Sequence, residues 1–438
     1  MTLEADIIVV GAGPAGSAAA LVAARLGAKV VLLERGPFPG SKNLYGGVAY
    51  LSFLDTLLPQ WRTEAPIERW ITTRSTMILN GSRSLELSYS DESWGSKRQN
   101  GATVERSRLD SWLASQAVTA GATLLTSTTA TQALIEGEGV DRKVVGVVTD
   151  QGGDNAIRAR WTIACDGANS RLAREVGLYP NFSASSMTLG VKEVLELPSS
   201  TINERFRVSD TQGVDIEILG CTGQLKGGGF LYTNRSTISI GVIVTLSSLA
   251  ASQQRPEQLL DALKAHPSIA PLIEGSRSVE YGAHLIPEGG WRSRPTLSMP
   301  GMMVCGDAAS LCLASGLWLE GVNNALGSGA LAGRVAARAC RRPRQTPHDH
   351  QRYERELRQS FVGINHQRLN AAPEVVLGDV LQHHVPQLLV GIADDLFTVT
   401  DPIPKPSLIK ILHRNLRASG LNARQVLRFL IAVVRGYR

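Results

Sequence analysis

The chain has 438 residues, 43% of them hydrophobic and 19% charged, with a formal net charge of +6, the balance of a globular protein large enough for about two or three domains. The basic excess comes without a basic stripe interleaved with aromatics, which argues against nucleic acid as a partner, and no apolar run approaches the ~20 residues of a membrane span. Cys165, Cys221, Cys305, Cys312 and Cys340 are odd in number and form no C-x-x-C pair, so a reducing cytoplasm is expected rather than a disulfide framework, a zinc site or an encoded iron–sulfur cluster.

The first segment, Asp6-Ile-Ile-Val-Val-Gly-Ala-Gly-Pro-Ala-Gly16, is an apolar run that breaks into glycines and continues as an Ala-rich helix. Ile7 to Val10 read as a strand buried on both faces, and Ser17 to Gly27 as a closely packed helix. Gly11 permits the tight turn, Gly13 removes the side chain that would block a pyrophosphate, and Gly16 lets helix and strand approach. The helix N-terminus, with Pro14 and Ala15 in its first turn, presents free N–H groups and a partial positive charge to phosphates. A second strand, Lys29 to Glu34, ends in an acid about twenty residues further on, where a carboxylate accepts the ribose hydroxyls. With Arg35 beside it, Glu34 argues against a 2′-phosphate at that site. No basic leader precedes the first strand, so export is not expected.

The loop from Pro37 to Tyr50 is too glycine-rich for a packed element and is well placed to wrap a cofactor. Val104 to Ala114 leads into a helix that buries Leu109, Trp112 and Leu113. Arg160 to Ser170 is a strand ending in Asp166-Gly167, and Met302 to Ala309 a strand ending in Gly306-Asp307 followed by a helix. Between these returns, Met187 to Leu197, Val214 to Leu219, Gly228 to Tyr232 and Thr237 to Val244 carry β-branched runs between turns, the pattern of an antiparallel sheet. A helix interrupts it near Pro256 to Ala265. The expected class is therefore α/β: a Rossmann-type cofactor domain (residues 1–75, 100–180 and 281–342), an inserted antiparallel-sheet substrate domain (76–99 and 181–280) and a C-terminal helical region with a basic tail (343–438).

Four separated segments, Gly11 to Gly16, Arg106 on its helix, Asp166-Gly167 and Gly306-Asp307, resemble the flavoprotein class that includes p-hydroxybenzoate hydroxylase. Within it, Pro39 to Gly47, Gly227-Gly-Gly-Phe-Leu-Tyr-Thr-Asn234, His284-Leu-Ile-Pro-Glu-Gly-Gly290 and Gly306-Asp-Ala-Ala309 are similar to the short bacterial electron-transfer-flavoprotein:quinone oxidoreductases associated with nitrogen fixation, relatives of the geranylgeranyl reductases. The resemblance implies FAD. It places the pyrophosphate at Gly11, Gly13 and Gly16, the adenosine ribose at Glu34 with Arg35 near the adenine, and the flavin beside Asn43, Gly46 and Gly47. Arg106 would reach the pyrophosphate region, with Asp166 and Gly167 in the same cofactor set, and Asp307 the ribityl chain or a nearby phosphate. Glu320-Gly321-Val322-Asn323 would aim backbone N–H groups at the flavin edge that becomes negative on reduction. The partners implied are an electron-transfer flavoprotein, a ferredoxin-like subunit and a quinone. Two departures stand out: the cysteines of the mitochondrial iron–sulfur domain are missing, and Gly316-Leu-Trp-Leu-Glu-Gly321 is atypical around Trp318 and Glu320.

Several residues carry two readings each. His284 serves as a proton shuttle or as a packed, hydrogen-bonded strand-end residue. Glu320 is a general base or a helix-capping acid, and Lys42 and Tyr45 contact the flavin or anchor the loop. His383-His384 lacks companions at ligand spacing, so no metal is expected. After Asp401 the chain is basic, and Leu408, Ile411, Leu412 and Leu416, then Leu427, Leu430, Ile431 and Val434, recur at helical spacing. Such helices lie on an anionic membrane surface or form a lid on the protein's own body. The function expected is FAD-dependent electron transfer to or from a quinone or hydrophobic acceptor. The alternatives are a tailoring dehydrogenase, reductase or monooxygenase acting on a hydrophobic small molecule, and a flavin-binding scaffold without catalysis.

Overall fold

A computed structural model of the chain describes residues 3–43, 46–151, 155–179, 183–342 and 348–436, so Leu44 and Tyr45 of the glycine-rich loop lie outside the described residues. The opening strand β1 (Leu3–Val10), helix α1 (Pro14–Arg25) and strand β2 (Val30–Leu33) form the expected βαβ unit. β1 pairs in parallel with β2 on one side and with Ala156–Ala164 on the other. Its residues Ile7, Ile8 and Val9 have no solvent exposure, which is why the run is apolar throughout instead of alternating. The order across this sheet is Ser298–Met299, Met302–Val304, Ala156–Ala164, β1, β2, Thr123–Leu125. Because Met302–Val304, Ala156–Ala164 and β1 run parallel, the turns after them emerge at one edge. Asp166-Gly167 and Gly306-Asp307 thus meet the first glycines.

The helix Val322–Cys340 lies against α1. Small residues make this approach possible: a Cβ added at Gly329 would fall 1.9 Å from the Ala15 carbonyl oxygen, and one at Gly333 2.2 Å from that of Ala19.

The second sheet runs Arg277–Pro287, Met187–Glu196, Thr237–Thr245, Gly227–Thr233, Gln212–Leu219, Ile67–Asn80, Ala102–Val104, Gly47–Ala49, with Arg83–Ser90 also beside Ile67–Asn80. Its pairs are antiparallel except that of Gln212–Leu219 with Ile67–Asn80, which is parallel. The helix Pro256–Lys264 covers it with Leu259, Leu260 and Leu263. Gly47–Ala49 corrects the expectation that the stretch from Pro37 to Tyr50 holds no packed element: backbone pairing with Ala102–Val104 asks nothing of the side chains. The expected boundaries at 75/76 and 280/281 fall inside the strands Ile67–Asn80 and Arg277–Pro287: the first strand runs on to the turn at Gly81, whose φ is +64°, and the second stays paired with Met187–Glu196. The C-terminal region is helical, ending in Val385–Phe397, Leu408–Ala418 and Ala423–Gly436. No helix among the described residues is long and apolar enough to cross a membrane.

Candidate flavin and electron-acceptor site

At the glycine turn each backbone demand is visible. Gly11 has φ +98°, and a Cβ there would strike the Cys165 carbonyl oxygen at 2.4 Å, while one at Gly16 would strike that of Gly11 at 1.8 Å. A Cβ at Gly13 would meet Arg106 Nη2 at 3.8 Å and Asp110 Oδ2 at 4.0 Å, ordinary van der Waals distances, so a guanidinium stands close to the start of α1. Pro14 and Ala15 form the first turn of that helix. Glu34 ties the turn together, accepting from Ala12 N at 3.2 Å and Gly36 N at 2.7 Å. Arg35 is exposed beside it and draws down the Asp166 carboxyl, which burial raises. Asp166 accepts from Leu172 N at 3.1 Å, and Gly167 makes the following turn with φ +77°.

Arg106 opens the helix Arg106–Thr119 and is gripped by Asp110, one turn on, at 2.9 Å and 2.8 Å. Asn43 donates to the same carboxylate at 2.8 Å. Asp110 is not among the residues expected from the sequence; its spacing of four from Arg106 on a helix is the signal that points to it. Gly306 N donates to Ser328 Oγ at 3.1 Å. Desolvation raises the Asp307 carboxyl above its ordinary value, with His284 and Arg106 pulling the other way. Glu320 accepts from Ser315 Oγ at 2.6 Å and Asn323 Nδ2 at 2.8 Å, just before the helix that starts at Val322 with Gly321 as its N-cap.

Asn43, Gly46, Gly47, Arg106 and Asp307 line a cavity of about 340 Å³. Gly227, Gly228, Gly229, Phe230 and Ile243, from central strands of the second sheet, line the same cavity. Gly11, Glu34, Arg35, Asp166 and Gly167 stand outside it at the glycine turn, and Arg106 belongs to both places. The cavity also holds titratable groups the sequence did not single out. Lys192 is buried and donates to Gly46 O at 2.8 Å and Tyr232 Oη at 3.1 Å; desolvation lowers it to about 7. Glu288 is buried against Thr188 Oγ1 at 2.6 Å, and burial pushes it up to about 7. A lone lysine in the apolar strand Met187–Glu196 was the only trace of the first.

Residues 6–176 match the family model for FAD-dependent oxidoreductases, and residues 187–286 match the ubiquinone-binding model of electron-transfer-flavoprotein–quinone oxidoreductases. Over 418 residues the chain is 36% identical to Protein FixC of Salmonella typhi, covering 95% of this chain and 96% of that protein. It is 38% identical over 426 residues to the probable electron transfer flavoprotein-quinone oxidoreductase YgcN of Escherichia coli K12, covering 95% and 96%. The chain belongs to the electron-transfer-flavoprotein–quinone oxidoreductase family. The fold is shared with a geranylgeranyl bacteriochlorophyll reductase-like protein from Thermoplasma acidophilum, with a TM-score of 0.72 at 22% identity over 96% of this chain and 97% of that one. It is shared also with the myxobacterial halogenase CndH, at 0.62 and 18% over 95% and 97%.

This oxidoreductase therefore uses FAD and transfers electrons to or from a quinone. Its residues fit that cofactor: a cation stands beside the side-chain-free Gly13, and Asp166 Oδ1 and Asn323 Oδ1 are buried oxygens with no donor among the described residues.

Proposed function

We propose that FAD lies along the edge where the parallel strands end, its diphosphate against Gly11, Gly13, Pro14, Ala15, Gly16 and Arg106. Glu34, Arg35 and the Asp166-Gly167 turn would hold the adenosine. Gly306 and Asp307 would hold the ribityl segment, and the ring would enter the cavity beside Asn43, Gly46 and Gly47. The segment Glu320-Gly321-Val322-Asn323 then offers the N-terminus of Val322–Cys340 to the ring edge that gains charge on reduction. Bound there, the cofactor supplies two-electron redox chemistry; the protein positions it and excludes water.

The observation that carries this reading is one cavity lined both by flavin-motif residues and by residues of the ubiquinone-binding segment. The quinone ring would rest against Gly227 to Phe230, with electrons arriving from an electron-transfer flavoprotein, aided by a ferredoxin-like subunit in place of a built-in cluster. The exposed apolar face of the C-terminal helices, with its arginines, supports docking on an anionic membrane where quinones dissolve.

Stopped-flow mixing of the dithionite-reduced yellow protein with a short-chain ubiquinone tests this. Rapid return of the oxidised flavin spectrum is expected. Inertness to quinone together with fast oxidation of NAD(P)H would overturn the reading in favour of a tailoring enzyme.

A further inference from the structure

Arg74, on Ile67–Asn80, is paired in the parallel register with Asp215 on Gln212–Leu219, and Glu217 lies two residues further along the same face. The guanidinium reaches Asp215 at 3.0 Å, contacts Glu217 directly, and donates to Tyr50 Oη at 2.7 Å. Its other side covers the Trp318 ring at 4.6 Å. One cation therefore faces two buried carboxylates. Fully ionised, the cluster is one charge too negative for its low-dielectric setting, and one bound proton restores neutrality. Burial and the Asp215 charge push Glu217 up to about 8, and burial raises Asp215 as well. The remaining ionisable neighbours are the hydroxyls of Tyr50 and Tyr232, with Glu320 acting on Tyr50.

The placement of this cluster matters more than its charge. An outer groove runs past Ser75, Ser88 and the exposed Leu87 and Tyr89. Tyr50, Glu217 and Trp318 line both this groove and the inner cavity. Glu217 is thus the carboxyl with access to the two compartments.

Resting on the quinone reading above, we propose that Glu217 carries protons between the outer groove and the inner cavity. Turning a quinone into a quinol adds two electrons and two protons and forms two O–H bonds. A flavin reduced to its anionic form would supply both electrons and one proton; the second proton has to cross the protein. In this step the Glu217 O–H bond breaks and a quinol O–H forms. The resulting carboxylate pairs with Arg74 until water in the groove reprotonates it. Quinol oxidation runs the same path backwards.

The test uses the full-length FAD-loaded enzyme, wild type and E217Q, reduced and then mixed with short-chain ubiquinone or with ferricenium, which takes electrons without protons. In E217Q the ratio of quinone rate to ferricenium rate is expected to fall about 100-fold. The limb of the wild-type quinone pH profile near 8 is lost, and formate, a small diffusible acid, restores the rate. The FAD-free protein gives a second readout. Between 4.5 and about 8 Glu217 is protonated when folded and ionised when unfolded, so the native state binds more protons and stability falls as pH rises through that window. E217Q lacks this fall in melting temperature. If E217Q does not accumulate, E217D, which keeps an acid, is expected to displace the limb and the melting slope. A wild type inert to quinone overturns the quinone reading and this proposal together. A reactive wild type whose rate ratio, pH limb and melting slope are the same in the variant overturns the proposal alone.

Discussion

Asp110 has no solvent exposure, yet it receives both hydrogen bonds of the Arg106 fork and that of Asn43. Its removal would leave a guanidinium without its counter-charge, a change that costs about 3–5 kcal/mol. D110A is therefore expected to melt well below the wild type and to lose its flavin on gel filtration, since Arg106 is the cation proposed to hold the diphosphate. Lys192 makes a prediction of the opposite pH sense to Glu217. Desolvation lowers it from 10.5 to about 7, so between those values the unfolded chain binds the extra proton and stability rises with pH. The melting temperature of the wild type relative to K192M should climb across that window; a flat difference would count against a buried, titrating lysine. Residues of the glycine turn were legible in the sequence because the backbone itself demands them. Arg74 and Glu217 were not, being 143 residues apart, and only the folded sheet sets their charges against each other.

The helix pair formed by α1 and Val322–Cys340 is the element on which the cofactor fold closes. G329A places a methyl 1.9 Å from the Ala15 carbonyl oxygen, and overpacking of this kind costs about 1–3 kcal/mol. Thermal melting and the flavin dissociation constant should both worsen, whereas G121A, where an added Cβ meets nothing within 4 Å, brings only local backbone strain from φ +106°. Long apolar or alternating runs such as those of Met187–Glu196 and Thr237–Thr245 were readable as strands from composition. The parallel pairing of Gln212–Leu219 with Ile67–Asn80 was not, since alternation fixes which face is buried and says nothing of the neighbour. Gly47–Ala49 and Ala102–Val104 are too short to show any period.

Across the whole molecule, the most unusual surface is at the C-terminal end. Phe397 is 82% exposed, Ile409 79% and Val434 69%, alongside Leu408, Leu412, Leu427 and Leu430. From sequence, the same helical stripe suited a lid as well as a bilayer surface, because periodicity does not tell what covers a face; Ile411 is in fact buried. We expect the protein to float with anionic vesicles and to be released by salt. Replacing exposed Arg417 and Arg428 by Gln should weaken this by about 2 kcal/mol, roughly 30-fold. Flotation unaffected by these changes and by I409E would argue against membrane docking. The contact between α1 and Val322–Cys340 carries a different consequence, in time. A ribosome releases the glycine turn first but the helix that braces it only after most of the polypeptide has been made. The nascent N-terminal half therefore holds α1 without its packing partner until Val322–Cys340 has emerged, and this long-range contact is closed late.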